Sequence, residues 1–329
     1  MTGICEGRVA IVTGAGRGLG RAYALGLAAE GAKVVVNDLG VGTHGDATAE
    51  RPADEVVAEI RRAGGEAVAN FDDVADWEGG ARIVRTAIDA FGRLDAVVNN
   101  AGFVRDRMFV SCTPEEWDAV IRVHLRGHFC VSRHAVDHWR AEAKAGRRVD
   151  ARIVNTSSGA GLQGSIGQSA YSAAKAGIAT LTLVQATELA RYGIMVNGLA
   201  PNARTRMTET AFAEAMKAKD GAFDVFAPEN TAPLVAFLVS ERSADVTGQI
   251  FELIGGKIRL ALGWTDGPER DIGRRWEPAA LGDAIHDLLA IRPAPKKVYG
   301  SRGPAWHRAR TCIAFDLAFG AAASPPRSR

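Results

Sequence analysis

No run of about 18 uninterrupted apolar residues occurs in the 329-residue sequence, so no membrane-spanning helix is expected. The first eight residues lack the basic-then-apolar form of a secretion signal and lead straight into an apolar segment, which points to the cytoplasm. Cysteine is scarce. Cys5, Cys112, Cys130 and Cys312 stand far apart with no paired spacing, which argues against a disulfide framework or a zinc site. A basic excess is also missing from most of the chain. The net charge of +2 conceals a stretch, 291–329, with eight Lys or Arg against Asp316 alone; the first 290 residues carry 32 basic and 37 acidic groups. A body that is net acidic has no electrostatic footprint for nucleic acid.

What remains is an ordinary globular composition, 47% hydrophobic and 24% charged, long enough for one large core. Short apolar runs near 8–13, 33–38, 66–70, 96–99, 152–156, 195–200 and 249–254 read as seven strands. Between them lie helical patterns near 21–30, 53–63, 77–91, 113–145, 169–190 and 234–239. Thr113 and Glu116 flank a proline in a capping box that opens the long fourth helix. Strands alternating with helices predict an α/β fold: one doubly wound Rossmann-type domain, a parallel seven-stranded sheet covered on both faces. The domain spans 1–290, with its core at 5–260. Residues 276–289 read as a further helix, and 291–329, with five prolines, as a detached, disordered tail.

In such a sheet, ligands bind beyond the carboxyl ends of the strands. The first strand runs into Gly14, Arg17, Gly18, Leu19 and Gly20, then a helix. The glycines fall as G-x-x-x-G-x-G rather than G-x-G-x-x-G, but strand, glycine turn and helix start still make a site for a pyrophosphate. Asp38 ends the second strand, 18 residues after Gly20. A carboxylate there accepts both hydroxyls of an adenosine ribose and repels a 2′-phosphate, which favours NAD over NADP. Arg17 is the contrary signal, since it would meet that phosphate. Asp73 and Val74 follow the third strand and either flank an adenine ring or cap a helix. Asn100, Ala101 and Gly102 follow the fourth.

Tyr171 and Lys175 are four residues apart on one helical face, and Ser158 follows the fifth strand. A phenol titrates near ~10, and an ammonium one turn away favours its phenolate. Together with the serine hydroxyl, such a pair can hold a carbonyl oxygen and exchange a proton with it.

These motifs, in this order over roughly residues 5–260, resemble the short-chain dehydrogenase/reductase family. The resemblance implies that Tyr171 is the general acid/base and that Lys175 lowers its pKa and binds the nicotinamide ribose. It also implies that Ser158 orients the substrate oxygen, and that Asn100 and the Pro201 turn line the nicotinamide pocket. The family's asparagine before the serine strand is replaced by His124, which is counted with the catalytic residues. If a backbone carbonyl there is the essential part, His124 substitutes for it; if the amide side chain is, the proton relay is impaired. Residues 34–40, 105–107, 123–127 and 200–203 are similar to the dehydrogenase units of type 2 peroxisomal multifunctional enzymes, also called 17β-hydroxysteroid dehydrogenase type 4. That similarity implies NAD-dependent oxidation of a 3-hydroxyacyl-CoA by a homodimer or homotetramer. The alternatives are a hydroxysteroid substrate and a non-catalytic nucleotide-binding protein.

His134 and His138 have an i, i+4 metal-like spacing but no glutamate between them, and read as a solvated helix face. His124 and His128 share a face too, with arginines nearby. Arg204, Arg206, Lys217 and Lys219 lie where the family carries a substrate lid and either meet a CoA phosphate or are merely exposed. Residues 207–216 read as the core of a lid helix.

Overall fold

The computed structural model describes residues 3–42, 50–205, 216, 221–294 and 296–301. Eight strands form one sheet in the order β3-β2-β1-β4-β5-β6-β7-β8. They are β1 Val9–Thr13, β2 Lys33–Asn37, β3 Ala67–Asn70, β4 Ala96–Asn99, β5 Ala151–Thr156, β6 Ile194–Asn202, β7 Ile250–Ile254 and β8 Lys257–Leu260. The central strands are apolar at nearly every position because both faces of the sheet are covered. On one face Ala10, Val12, Val34 and Val36 pack with α1 (Gly18–Ala29), α2 (Pro52–Arg62) and α8 (Ala232–Val239). On the other, Val9, Ile11, Val97 and Ile153 pack with α3 (Trp77–Phe91) and α5 (Gly127–Lys144). Between these layers in the chain run α4 (Pro114–Ile121), α6 (Gly159–Gln163) and α7 (Ser169–Leu189), with α9 (Pro278–Ile291) near the end. Among the described residues no helix is long and apolar enough to cross a membrane.

Three features depart from the expected outline. The first seven strands are parallel as expected, but β8 adds an eighth, antiparallel to β7 across a turn at Gly255, where φ is +53°. The long helix expected over 113–145 is two helices joined by a π-helical turn, Arg122–Arg126, which inserts one extra residue and turns His124 into the core. The stretch after 291 does not all leave the body. The amides of Ile166 and Tyr299 bond to the carbonyls of Tyr299 and Gly164, at 3.0 and 3.1 Å, so residues 298–300 return against the 164–166 loop. Residues 302–329 lie outside the described residues.

Candidate active site

The carboxyl end of β5 builds the site. Thr156 accepts a hydrogen bond from Lys175 Nζ at 2.6 Å, and Ser157 Oγ donates to the Lys175 carbonyl at 2.7 Å. The strand end thus grips one residue of α7 through both its side chain and its backbone. Gly161 permits this contact, since a methyl carbon there would lie 2.5 Å from the Lys175 carbonyl carbon. Ser158 caps α6: its Oγ accepts from the Ala160 amide at 3.2 Å, which leaves the hydroxyl proton free to donate. Deeper in the sheet, Asn155 Nδ2 reaches Thr182 Oγ1 and Gln185 Oε1 on α7, at 3.0 and 2.9 Å. The Ser158 hydroxyl bonds to the Tyr171 phenol and Lys175 Nζ lies 5.7 Å from the Tyr171 ring centroid, so these side chains come together, with Ser157, Asn155 and Gly161 beneath them. Those three carry no local signal in the sequence; only pairing of β5 with α7 reveals them.

The electrostatics differ from expectation. Burial pushes the Tyr171 phenol above its ordinary value, the Ser158 hydroxyl opposes that rise, and the Asp106 carboxylate adds to it. Burial also pushes the Lys175 amine down to about 7. A lysine that has lost much of its charge at neutral pH does little to draw a proton off the phenol. With its pKa held above the ordinary phenol value, Tyr171 keeps its proton at neutral pH.

His124 is fully buried and touches Tyr171 edge-on, with ring centroids 5.3 Å apart. No hydrogen bond joins it to Ser158, Tyr171 or Lys175 among the described residues. Its Nε2 lies 2.7 Å from the Phe103 carbonyl oxygen and 3.2 Å from the Phe103 amide. The shorter contact assigns the proton to Nε2, and Nδ1 is left without a partner. Burial and the nearby Lys175 charge push the imidazole down to about 3, so the ring is neutral. It lies flat on Gly102, where a methyl carbon would be 2.1 Å from Cε1. His128, also buried, is lowered for the same reasons and by the His124 charge.

Gly102 leads into the neighbouring cleft, of about 400 Å³. Its floor is the glycine turn. Gly14 and Gly18 adopt φ of +61° and +54°, and a methyl carbon on Gly20 would lie 2.1 Å from the Gly14 carbonyl oxygen. Backbone amides at the start of α1 thus face the cleft with no side chain over them, which fits a pyrophosphate. Asn100 struts the turn: its Nδ2 donates to the Thr13 and Gly14 carbonyls at 3.1 and 3.2 Å. Thr13 Oγ1 accepts from the amides of Asn100 and Ala101, a supporting role the sequence did not single out. Arg17, Leu19, Asp38, Asp73, Val74 and Ala101 all line the cleft. Asp38 accepts from the Gly16 and Gly40 amides, both at 2.8 Å, and the Arg17 guanidinium is paired with Glu50. Asp73 takes the Arg122 guanidinium at 2.7 Å and the Ala75 amide at 2.8 Å, while Asp76 caps α3.

Other expected residues fall elsewhere. Pro201 lies within β6 opposite Leu253, and it is Thr205 that lines the cleft on that side. Arg204 bonds to the Asp224 carboxylate and to the Met216 carbonyl, so it is an internal tie rather than an exposed cation. Arg206, Lys217 and Lys219 lie outside the described residues, as does all of 207–216 except buried Met216. His134 leans on Trp77 with centroids 4.2 Å apart instead of facing solvent alone.

Residues 8–217 match the short chain dehydrogenase family. The chain is 45% identical over 292 residues to hydroxyacyl-CoA dehydrogenase ChsB1 of Mycobacterium tuberculosis, covering 87% of this chain and 90% of that one. It is 49% identical over 285 residues to peroxisomal multifunctional enzyme type 2 of Mus musculus, covering 86% of this chain but 36% of that longer protein. The crystal structure of a short chain dehydrogenase from Mycobacterium avium matches with a TM-score of 0.83 at 57% identity, over 91% of this chain and 100% of that one. On the agreement of motif, fold and kinship, the chain belongs to the short-chain dehydrogenase/reductase family.

Proposed function

We propose that the protein is an NAD-dependent oxidoreductase that interconverts a 3-hydroxyacyl-CoA and its 3-oxoacyl-CoA. The observation that supports this reading is the junction of β5 and α7: Lys175 is held on the strand end that leads to Ser158, Ser158 bonds to Tyr171, and Tyr171 packs with Phe103, which lines the cleft over the glycine turn. The substrate class rests on the relatives named for hydroxyacyl-CoA and multifunctional-enzyme dehydrogenases. NAD is favoured by Asp38 and by Glu50, whose pairing with Arg17 removes the cation that a 2′-phosphate would need.

The glycine turn, Asp38, Asn100 and Lys175 would hold the dinucleotide. Bound there, the dinucleotide would supply the acceptor for the hydride leaving the carbinol carbon in oxidation, and the donor in reduction. Ser158 donates a hydrogen bond to the substrate oxygen, and Tyr171 takes the hydroxyl proton in oxidation or returns it in reduction. Lys175, held on the Thr156 carbonyl one helical turn from Tyr171, favours the phenolate whenever its amine is charged. His124 supports rather than transfers. Its ring seats Tyr171 and Gly102, and the backbone of the π-helical turn takes the place of the family's asparagine. A homodimer or homotetramer belongs to the same reading, since Phe129 on α5 and Leu183 and Val184 on α7 leave large apolar side chains exposed.

The test is NAD⁺ reduction with (3R)-hydroxyacyl-CoAs of several chain lengths, beside a hydroxysteroid panel. Turnover of the acyl-CoAs is expected; none with any of them overturns the substrate class. Tyr171→Phe is expected to lower kcat by two or more orders of magnitude, in the usual range for a lost acid/base group, with NADH binding unchanged by fluorescence. Full activity in that variant would remove Tyr171 from the chemistry.

A further inference from the structure

The loop that links Ser158 to Tyr171 is held from two sides. On one, Gln168 Nε2 donates to both Asp106 oxygens at 3.1 Å, and Arg107 bridges to Gln168 through the backbone. On the other, residues 298–300 form a short parallel bridge, with Ser165 opposite Tyr299. A methyl carbon on Gly164 would meet Val298 at 3.5 Å and one on Gly300 would meet Ile166 at 3.4 Å, and the Tyr299 ring lies over Gly159, where a methyl carbon would be 2.6 Å from the phenol oxygen and 3.0 Å from Cε2. Glu252 of β7 and Arg259 of β8 form an ion pair at 2.8 Å, and both act electrostatically on the Tyr299 phenol. Tyr299 is 40% exposed, so one face of its ring is open beside the residue that follows Ser158.

We propose that Tyr299 is a specificity-determining residue of the active site: its ring, held by the 298–300 strap, forms the outer wall beside Ser158. This rests on the acyl-CoA reading above. A wall of this kind acts by shape. A flat ring against Gly159 closes the side of the site nearest the serine and limits the room for a long acyl chain there; without the ring, that side is open and longer chains gain.

Wild-type protein, Tyr299→Ala and Tyr299→Phe should be compared on 3-hydroxybutyryl-CoA and 3-hydroxyhexadecanoyl-CoA. In Tyr299→Ala the long-to-short ratio of kcat/KM is expected to rise about tenfold, the size of effect that a few contact groups have in an apolar pocket. The change should fall in KM, with kcat and NADH affinity held within twofold. Tyr299→Phe should keep the wild-type ratio, because the ring and not the hydroxyl makes the wall. An unchanged ratio in Tyr299→Ala, or an equal loss of kcat on both substrates, overturns the proposal. Hydrogen exchange at the Ile166 amide is an independent check: protection in the wild type is expected, and exchange at the unprotected rate means the strap is not docked and overturns the proposal whatever the substrate. If the wild type oxidised neither acyl-CoA, the substrate reading alone would fall. Tyr299 would then be judged by that exchange measurement and by the ratio between small and bulky steroids.

Discussion

Arg17 sits inside the glycine turn with its guanidinium on the Glu50 carboxylate, while Asp38 holds the backbone amides of Gly16 and Gly40. These contacts give the cofactor preference a physical form. Asp38 does two things at once, since it braces the turn and keeps negative charge where a 2′-phosphate would sit. Glu50 is half a residue pair whose stability value is small, being 62% exposed at its side chain, yet it decides whether Arg17 is available. Glu50→Gln is therefore expected to leave folding unchanged and to improve NADPH binding relative to NADH by about tenfold, one full charge pair's difference of about 1.4 kcal/mol. Parallel fluorescence titrations with the two reduced nucleotides measure it; an unchanged ratio would show that Arg17 does not reach the adenosine end. The residue scale is also where the sequence was least informative about chemistry. The i, i+4 spacing of Tyr171 and Lys175 was plain, but their protonation depends on burial, which no local pattern records.

At the scale of elements, the decisive contact is α6 and α7 against the end of β5. Gly161 is the point of closest approach, and a side chain there meets backbone atoms that cannot move without shifting α7. Gly161→Ala is expected to destabilise the protein by about 1–3 kcal/mol, the usual cost of overpacking, and to lower kcat at least tenfold by moving Lys175 and Tyr171 off Ser158. Gly256→Ala, where nothing lies within 4 Å and φ is unexceptional, should change neither beyond about 0.5 kcal/mol. Denaturant unfolding and turnover on the two variants separate the cases; a silent Gly161→Ala would mean that the junction tolerates slack. Elements with strong periodicity were legible in advance, and the seven parallel strands declared themselves as apolar runs because both faces of the sheet are covered. What was hidden has a physical reason in each instance. β8 alternates polar and apolar residues over only four positions, and its Ile258 and Leu260 are exposed, so it is too short and too poorly buried to stand out as a core strand. The break at Arg122–Arg126 contains neither proline nor glycine, and a π-helical turn keeps the composition of a helix. Tyr299 meets Gly159 across 140 positions of sequence from inside a proline-rich, basic stretch, a contact that only the folded chain can make.

For the molecule as a whole, the site concentrates buried bases. His124, His128 and Lys175 are each at most 3% exposed, and the Lys175 charge acts on both histidines. Each of the three is lowered by burial, so each binds protons more readily in the unfolded chain than in the folded one. Stability must then rise with pH wherever the unfolded form holds the extra proton. For His124 the window runs from about 3 in the fold to 6.5 unfolded, and by pH 5 it withdraws about 2 kcal/mol relative to pH 8. His128 acts in the same direction. For Lys175 the window opens at about 7 and closes near the ordinary lysine value of 10.5, so that raising the pH from 7 to 9 restores about 2 kcal/mol. Paired carboxylates such as Asp150 and Asp224, held below their ordinary values, lose their contribution only at more acid pH and do not interfere between pH 5 and 6.5. Unfolding free energy measured by denaturant is therefore expected to climb from pH 5 through 7 to 9. His128→Leu should make the pH 5–7 limb shallower, leaving the part that belongs to His124, and should leave the pH 7–9 limb, which belongs to Lys175, in place. A flat or falling profile across both limbs would mean that these groups sit in solvated surroundings rather than in a dry interior.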